Sequence, residues 1–347
     1  MDFLANADWL YMYMPIAGVK IFWPGLVLIG FSVGVIGGFF GMGGAWMVTP
    51  GLNILGFPMA FAIGTDMAHI AGKSMISTMR HSKFGNVDYK LGIVMLVGTM
   101  VGIECGAQIV MYLERLGQVG PVVRWVYVGF LALIAFMVFY DYYVAVSKKK
   151  AGVTDGEHGT EGITWYKTLH RINIPPMMHF KTAGFTCSAW LPIMVSFLTG
   201  VLAGFLGIGG GLLRMPALVY LIGCPTHIAV GTDLFEVMIS GLYGAFTYAI
   251  KGRIELVAVF VMLTGAAIGA QIGTVATKYA KGYGIRLAFG TAVLCCMVSI
   301  ILKQYGFSAS AAVLILGTIS LICVYIIKIM WVGAAEELRA KKKAQTA

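Results

Sequence analysis

The sequence predicts an all-α polytopic membrane protein made of two homologous repeats, each with a glycine-broken helix, and about eight to nine transmembrane segments in all. Three observations lead there. First, 59% of the 347 residues are hydrophobic and 12% charged, with a mean hydropathy of +0.85; a soluble domain carries about a quarter charged residues. Second, uncharged runs recur at 21–65, 182–213, 256–277 and 304–327, and a membrane helix needs roughly 20 apolar residues. Third, "GFFGMGGAWMVTP" (38–50) returns as "GFLGIGGGLLRMP" (204–216).

In chain order, spanning segments are expected near 24–56, 58–80, 90–112, 122–146, 185–221, 226–250, 256–277, 286–303 and 308–331. The N-terminal stretch "MDFLANADWLYMYM" lacks the basic region of a signal peptide, so the first apolar segment is expected to be retained. Residues 1–146 form the first transmembrane repeat. Residues 147–184, rich in charge, Gly and Pro, form a polar linker with a short surface helix expected around 165–171. Residues 185–303 form the second repeat, and 304–347 an extra helix with a basic tail.

The repeat is detailed. At an offset of 166, Phe31–Leu52 and Phe197–Leu218 share Phe31, Gly34, Val35, Gly38, Phe39, Gly41, Gly43, Gly44, Pro50 and Leu52. After one inserted residue, "GFPMAFAIGTD" (56–66) matches "GCPTHIAVGTD" (223–233). Val87-Asp88 then answers to Ile254-Glu255, and Gly98, Gly102 and Gly106 to Gly265, Gly269 and Gly273.

The net charge of +10 reads as topology, not as a nucleic-acid surface, because the basic residues fall between apolar runs and in the tail. Arg80, Lys83 and Lys90, then Lys148–Lys150, then Lys278, Lys281 and Arg286, and finally the tail all want the cytoplasmic side. The acidic N-terminus wants the other side. Nine simple crossings cannot satisfy this. If each glycine-broken segment enters and leaves on one side, each half crosses three times and the halves are inverted, a recurrent transporter plan.

The broken segments need a reason, since every backbone polar group in lipid must find a partner. Consecutive glycines in "GMGG" and "GIGGG" permit positive φ and close approach, and a half-helix N-terminus aims free N–H groups at a bound anion. The series Gly98/Gly102/Gly106 and Gly265/Gly269/Gly273 instead read as helix-packing faces. Intramembrane ionisable groups mark function by default. Asp66, His69 and Lys73 share a helix face, as do their counterparts Asp233, Glu236 and Ser240. The two aspartates either carry a proton or Na⁺, or serve as a helix cap or an ion-pair partner. Arg214 aligns with Val48 and breaks the symmetry; it suits an oxyanion or pairs with Asp233 or Glu236. Glu104 aligns with Gln271. The six cysteines, all in apolar stretches without a CxxC, read as packing residues.

"GFLGIGGGLLRMPALVYLIGCPTHIAVGTD" resembles the glycine-rich signature of the sulfite exporter TauE/SafE family of membrane transporters. Its pattern of Gly-x-Gly-Gly-Gly, Pro, Ala-x-Gly-Thr and a later Gly-x-[Val/Ile]-acidic turn maps onto Gly207–Gly211, Pro216, Ala229–Thr232 and Gly252–Glu255. In the first half it maps onto Gly41–Gly44, Pro50, Ala62–Thr65 and Gly85–Asp88. The first half departs from it with Ala45-Trp46 after the glycines, both halves have Asp where Ser is commoner, and the linker is long. The resemblance implies transport of sulfite, sulfate or organosulfonates across a prokaryotic inner membrane.

The candidate substrate contacts are therefore Gly41, Gly43, Gly44, Thr65, Gly207, Gly209, Gly210, Gly211, Arg214 and Thr232. The candidate ion-coupling or cavity residues are Asp66, His69, Lys73, Glu104, Asp233, Glu236 and Gln271. The expected function is a secondary active transporter coupled to a proton or sodium gradient, with linker and C-terminus cytoplasmic. The alternatives are an anion channel or a carrier of a non-sulfur organic anion. No ATP-binding, hydrolase or metal-protease motif points to an enzyme, a catalytic residue, a metal or a cofactor. The partners expected are the anion, H⁺ or Na⁺ and the bilayer, without nucleic acid, and a homo-oligomer is compatible with these.

Overall fold

The computed structural model describes residues 7–40, 45–150, 174–277, 279 and 284–346. Gly41, Gly43, Gly44 and the surface helix expected at 165–171 lie outside them.

A hairpin of β1 (Tyr11–Met14) and β2 (Val19–Phe22) leads into α1 (Trp23–Phe40). After a 3₁₀ turn (Ala45–Met47) come α2 (Val48–Leu55), α3 (Met59–Lys83), α4 (Tyr89–Arg115) and α5 (Val119–Lys150). The second half repeats this order. A hairpin of β3 (Met177–Phe180) and β4 (Phe185–Ser188) precedes α6 (Trp190–Leu206), α7 (Gly211–Tyr220), α8 (Thr226–Ile250), α9 (Leu256–Thr277) and α10 (Gly284–Gln304); α11 (Ser308–Thr346) is extra.

The segments expected at 24–56 and 185–221 are thus each two helices, α1 and α2 in the first half and α6 and α7, parted at Gly207–Gly210, in the second. Six helices among the described residues are long and apolar enough to cross a membrane: α4, α5, α8, α9, α10 and α11. This is fewer than the expected eight or nine. The helices α1 and α6 are short, and α3, with 25 residues, is diluted by Asp66, His69, Lys73 and the basic residues at its end.

The hairpins went unread in the sequence because their four-residue strands are too short to display an alternating pattern. They obey the same offset of 166: Tyr11 and Met14 answer to Met177 and Phe180, and Gly18 to Gly184. Each closes through a four-residue turn whose glycine, Gly18 (φ +68°) or Gly184 (φ +76°), donates 2.8 Å to the strand end, Met14 or Phe180. The stretch assigned to the linker therefore contains the start of the second repeat.

The halves interlock. α1 packs along α9, and its counterpart α6 packs along α4, the counterpart of α9. Glycines make both contacts close. An added Cβ on Gly98, Gly102 or Gly106 would collide with the carbonyls of Ile193, Phe197 and Val201, and one on Gly265, Gly269 or Gly273 with those of Val27, Phe31 and Val35. These six residues therefore serve helix packing, as their spacing predicts. α3 pairs with α8 and α5 with α10. Ile70 and Val237, each the other's counterpart, form one buried contact between α3 and α8. Reciprocal contacts of this kind are what a two-fold exchange of the halves requires. The outer surfaces of α4 and α9 expose Ile93, Val97, Val101, Phe260 and Ile268, apolar side chains suited to lipid.

Candidate functional site

A repeated brace connects the halves. The turn before α9 is tied to α3: Glu255 N–H donates to Thr65 Oγ1 at 3.1 Å, and the Glu255 carboxylate accepts from the N–H groups of Ile16 and Ala17 at 2.8 and 3.0 Å. In the counterpart, Asp88 N–H donates to Thr232 Oγ1 at 2.9 Å, and the Asp88 carboxylate accepts from Thr182 and Ala183 at 3.1 Å each. Gly64 and Gly231 stand where any side chain would strike the Arg253 or Asn86 carbonyl of the opposite turn. The Ala-x-Gly-Thr stretches and the later acidic turns are thus two ends of one joint. Thr65 and Thr232, expected as substrate contacts, are both engaged in it.

The second break runs through Gly207, Gly209 and Gly210, all at positive φ (81°, 65° and 76°), which only glycine adopts without strain. Breaking α6 inside a membrane frees its last carbonyls. Two buried tyrosines satisfy them: Tyr248 Oη donates to Gly204 and Tyr127 Oη to Leu206, each at 2.6 Å. The loop lies between the halves. A Cβ on Gly207 would stand 2.6 Å from Thr49 Oγ1, and one on Gly211 2.7 Å from Asp233 Oδ2. The half-helix α7 therefore already has a carboxylate beside its first turn, which favours it electrostatically.

Asp66 does the same for α2. Its Oδ2 accepts from Thr49 N–H at 3.1 Å and from Thr49 Oγ1 at 2.8 Å. Here the two halves part company. Around Asp233 most of the polar groups pair with one another: Arg214 is ion-paired with Glu236 and lies 3.4 Å from Asp233, its Nε donates to Thr199 Oγ1 at 3.2 Å, and Ser240 Oγ donates to Glu236 at 3.3 Å, while Arg214 Nη2 and Glu236 Oε1 have no hydrogen-bond partner. Arg214 thus has the carboxylate partners that one of its two sequence readings expects.

Around Asp66 they stay open. Asp66 Oδ1, both ring nitrogens of His69 and Lys73 Nζ are buried without a hydrogen-bond partner. His69 Nδ1 is 3.8 Å from Asp66 Oδ1. Lys73 is 6% exposed and within electrostatic reach of Asp66. Leaving several buried polar atoms unpaired on one helix face costs about 1–3 kcal/mol each, which makes this face the candidate site. Thr49 escaped the sequence reading because its counterpart is Met215, so the repeat gave no signal.

Glu104 and Gln271 do not join either cluster. Gln271 is exposed, and Glu104 pairs at the surface with Lys251 at 3.0 Å. Arg253 likewise pairs with Glu114 at 3.0 Å. Gly209 and Gly210 approach Ile70 and Arg214 respectively, and Gly211 opens α7. Among the described residues no group of three or more His, Cys, Asp and Glu is placed to hold a metal ion.

Long apolar helices, two broken ones and a buried polar cluster where they meet define a multi-pass membrane protein of the transporter type. The chain belongs to the sulfite exporter TauE/SafE family, whose profile matches residues 26–300. It is similar to the probable membrane transporter protein YunE of Bacillus subtilis, 27% identical over 72% of this chain and 86% of that protein. It is 25% identical to a probable membrane transporter protein of Xylella fastidiosa over 80% of this chain and 93% of that one. A third relative is the probable membrane transporter protein MJ0441 of Methanocaldococcus jannaschii, 25% identical over 65% and 72% of the two chains. No solved structure matches the chain.

Proposed function

We propose that this protein is a secondary active transporter that carries a small sulfur-containing anion (sulfite, sulfate or an organosulfonate) across the inner membrane, coupled to a proton gradient. The observation that carries this reading is the Asp66–His69–Lys73 face beside the helix break, where four buried polar atoms have no hydrogen-bond partner against two in the ion-paired Arg214–Glu236–Asp233 cluster of the counterpart position. With Asp66 ionised, its charge offsets that of Lys73. A proton on Asp66 Oδ1, the oxygen without a partner, removes that offset and leaves Lys73 free to hold an anion. His69 stands between them as a relay for the proton. Anion and proton then bind together and leave together. Arg214 balances the carboxylates of the second half and holds it rigid. Inverted halves, with linker and tail cytoplasmic, fit the placement of the basic residues.

The test is uptake into proteoliposomes with an imposed pH gradient or an imposed Na⁺ gradient, using sulfite, sulfate, sulfoacetate and a carboxylate control. Wild type is expected to respond to the pH gradient. Lys73→Met is expected to lose at least about tenfold in rate, with partial rescue in Lys73→Arg, since charge at this point is what holds the anion. Asp66→Asn keeps an acceptor for Thr49 and is expected to carry the anion without response to pH. Flux that ignores both gradients and survives Lys73→Met would instead mean a passive channel using another path.

A further inference from the structure

Six cations among the described residues are wholly or partly buried: Lys73, Arg124, Arg214, Lys251, Arg253 and Lys303. Arg214, Lys251 and Arg253 each face a carboxylate, and Lys73 shares its site with Asp66. Among the described residues, Arg124 on α5 and Lys303 on α10 have no acidic partner. They line one small pocket open at the surface, with Pro50, Asn53 and Tyr127 among its other walls. Each lies within reach of the other's charge.

Two like charges held in one partly apolar pocket repel each other at a cost the fold must offset. The arrangement is held in place by named partners. Arg124 Nε donates to Gln304 Oε1 at 2.6 Å and Nη1 to Asn53 Oδ1 at 3.2 Å, neutral acceptors that fix the guanidinium plane without quenching its charge. Lys303 is tethered only by Ser308 Oγ at 3.1 Å.

The pocket abuts the buried cluster. Pro50 follows Thr49, the residue bonded to Asp66, and Tyr127 reaches across to Leu206, next to the Gly207 that packs on Thr49. It also belongs to one half-pair only. At the offset of 167 the counterpart of Arg124 is Thr291 and that of Lys303 is Phe136, so the equivalent place elsewhere in the molecule has no cation.

We propose that Arg124 and Lys303 form a second, outer anion-binding site, which receives a small oxyanion and passes it to the Asp66–His69–Lys73 face. Its role as an entrance rests on the transport reading above; its binding of an anion does not. A planar guanidinium with a mobile ammonium beside it matches the several oxygens of a sulfite, sulfate or sulfonate group. Positive charge at the mouth of a low-dielectric cleft also concentrates anions there.

The experiment uses full-length protein in lipid-free non-ionic detergent and follows stabilisation against heat by inorganic sulfate and by sulfite. It compares wild type, Lys303→Gln, Lys303→Arg, Arg124→Gln and Lys73→Gln. Lys303→Gln removes only one surface hydrogen bond, so its melting temperature without anion checks that it folds; Arg124→Gln carries the added risk of loosening α5 from α10. The expected result is that Lys73→Gln still gains stability from sulfate, that Lys303→Gln requires at least about tenfold more sulfate for the same gain, and that Lys303→Arg restores it. In proteoliposomes Lys303→Gln is expected to raise KM about tenfold at low salt with kcat within twofold, a difference that shrinks in high salt as screening takes over. Should uptake fail for every anion tested while sulfate still binds through Lys303, the transport reading falls and the site stands. The site falls if Lys303→Gln binds sulfate as wild type does, or if sulfate stabilises no variant. It falls too if phosphatidylglycerol stabilises the protein through Lys303 and free sulfate does not, since the occupant is then a lipid headgroup.

Discussion

Thr65 and Thr232 illustrate how a residue's role follows from its partner and not from its motif. Each hydroxyl receives the N–H of an acidic residue in the opposite half, and that acidic residue in turn holds the turn of a hairpin. Removing one such hydroxyl in Thr65→Val is expected to destabilise the protein by about 1 kcal/mol. Glu255→Ala keeps the backbone bond to Thr65 but leaves two turn N–H groups without their carboxylate acceptor, and is expected to cost about 2–3 kcal/mol. Chemical denaturation of the purified protein checks both, and equal losses in the two variants would contradict that order. The sequence displayed these positions plainly, because both halves carry them. What it could not display was which group each one meets, since Thr65 and Glu255 lie 190 residues apart. Arg214 was legible in the same partial way: its charge and its asymmetry were visible, and the ion pair it makes with Glu236 was one of the two roles its residue type allows.

Among the elements, glycine has two separate duties, and the sequence separated them correctly where spacing was the guide. Glycines four apart form the faces on which α4 meets α6 and α9 meets α1, while the consecutive glycines of 207–210 form a loop with left-handed backbone. A Val in place of Gly102 or Gly269 would drive a side chain into the Phe197 or Phe31 carbonyl. Each substitution is expected to cost at least about 1–3 kcal/mol by overpacking and to lower the yield of folded protein in a size-exclusion assay. The same change at Gly129, which has open space around it, is expected to be tolerated. Hydropathy located the long apolar helices well. It also placed a spanning segment at 58–80, where α3 carries Asp66, His69 and Lys73 buried against the rest of the molecule and falls short of the apolar average of the six long helices. It missed the hairpins, whose strands are too short to announce themselves.

On the scale of the whole molecule, the repeat was the strongest signal in the sequence, yet a repeat alone does not say how copies fit together. In this fold α1 rests on α9 and α6 on α4, so each half supplies the surface the other needs. Residues 1–173 and 174–347 expressed apart are therefore expected to be degraded or aggregated, and expressed together to reassemble into a complex that co-purifies; a first half that folds alone would contradict this. Mutual dependence has a further effect on how the chain is made. Synthesis proceeds from the N-terminus, so α6 emerges to find α4 already in place, whereas α1 must wait until α9 leaves the ribosome more than two hundred residues later. Through that interval its glycine face and the groove meant to receive a partner are bare. Two nearly equivalent halves thus have unequal childhoods: the opening helix of the first is made long before its partner, and the second assembles on a surface its elder has already prepared.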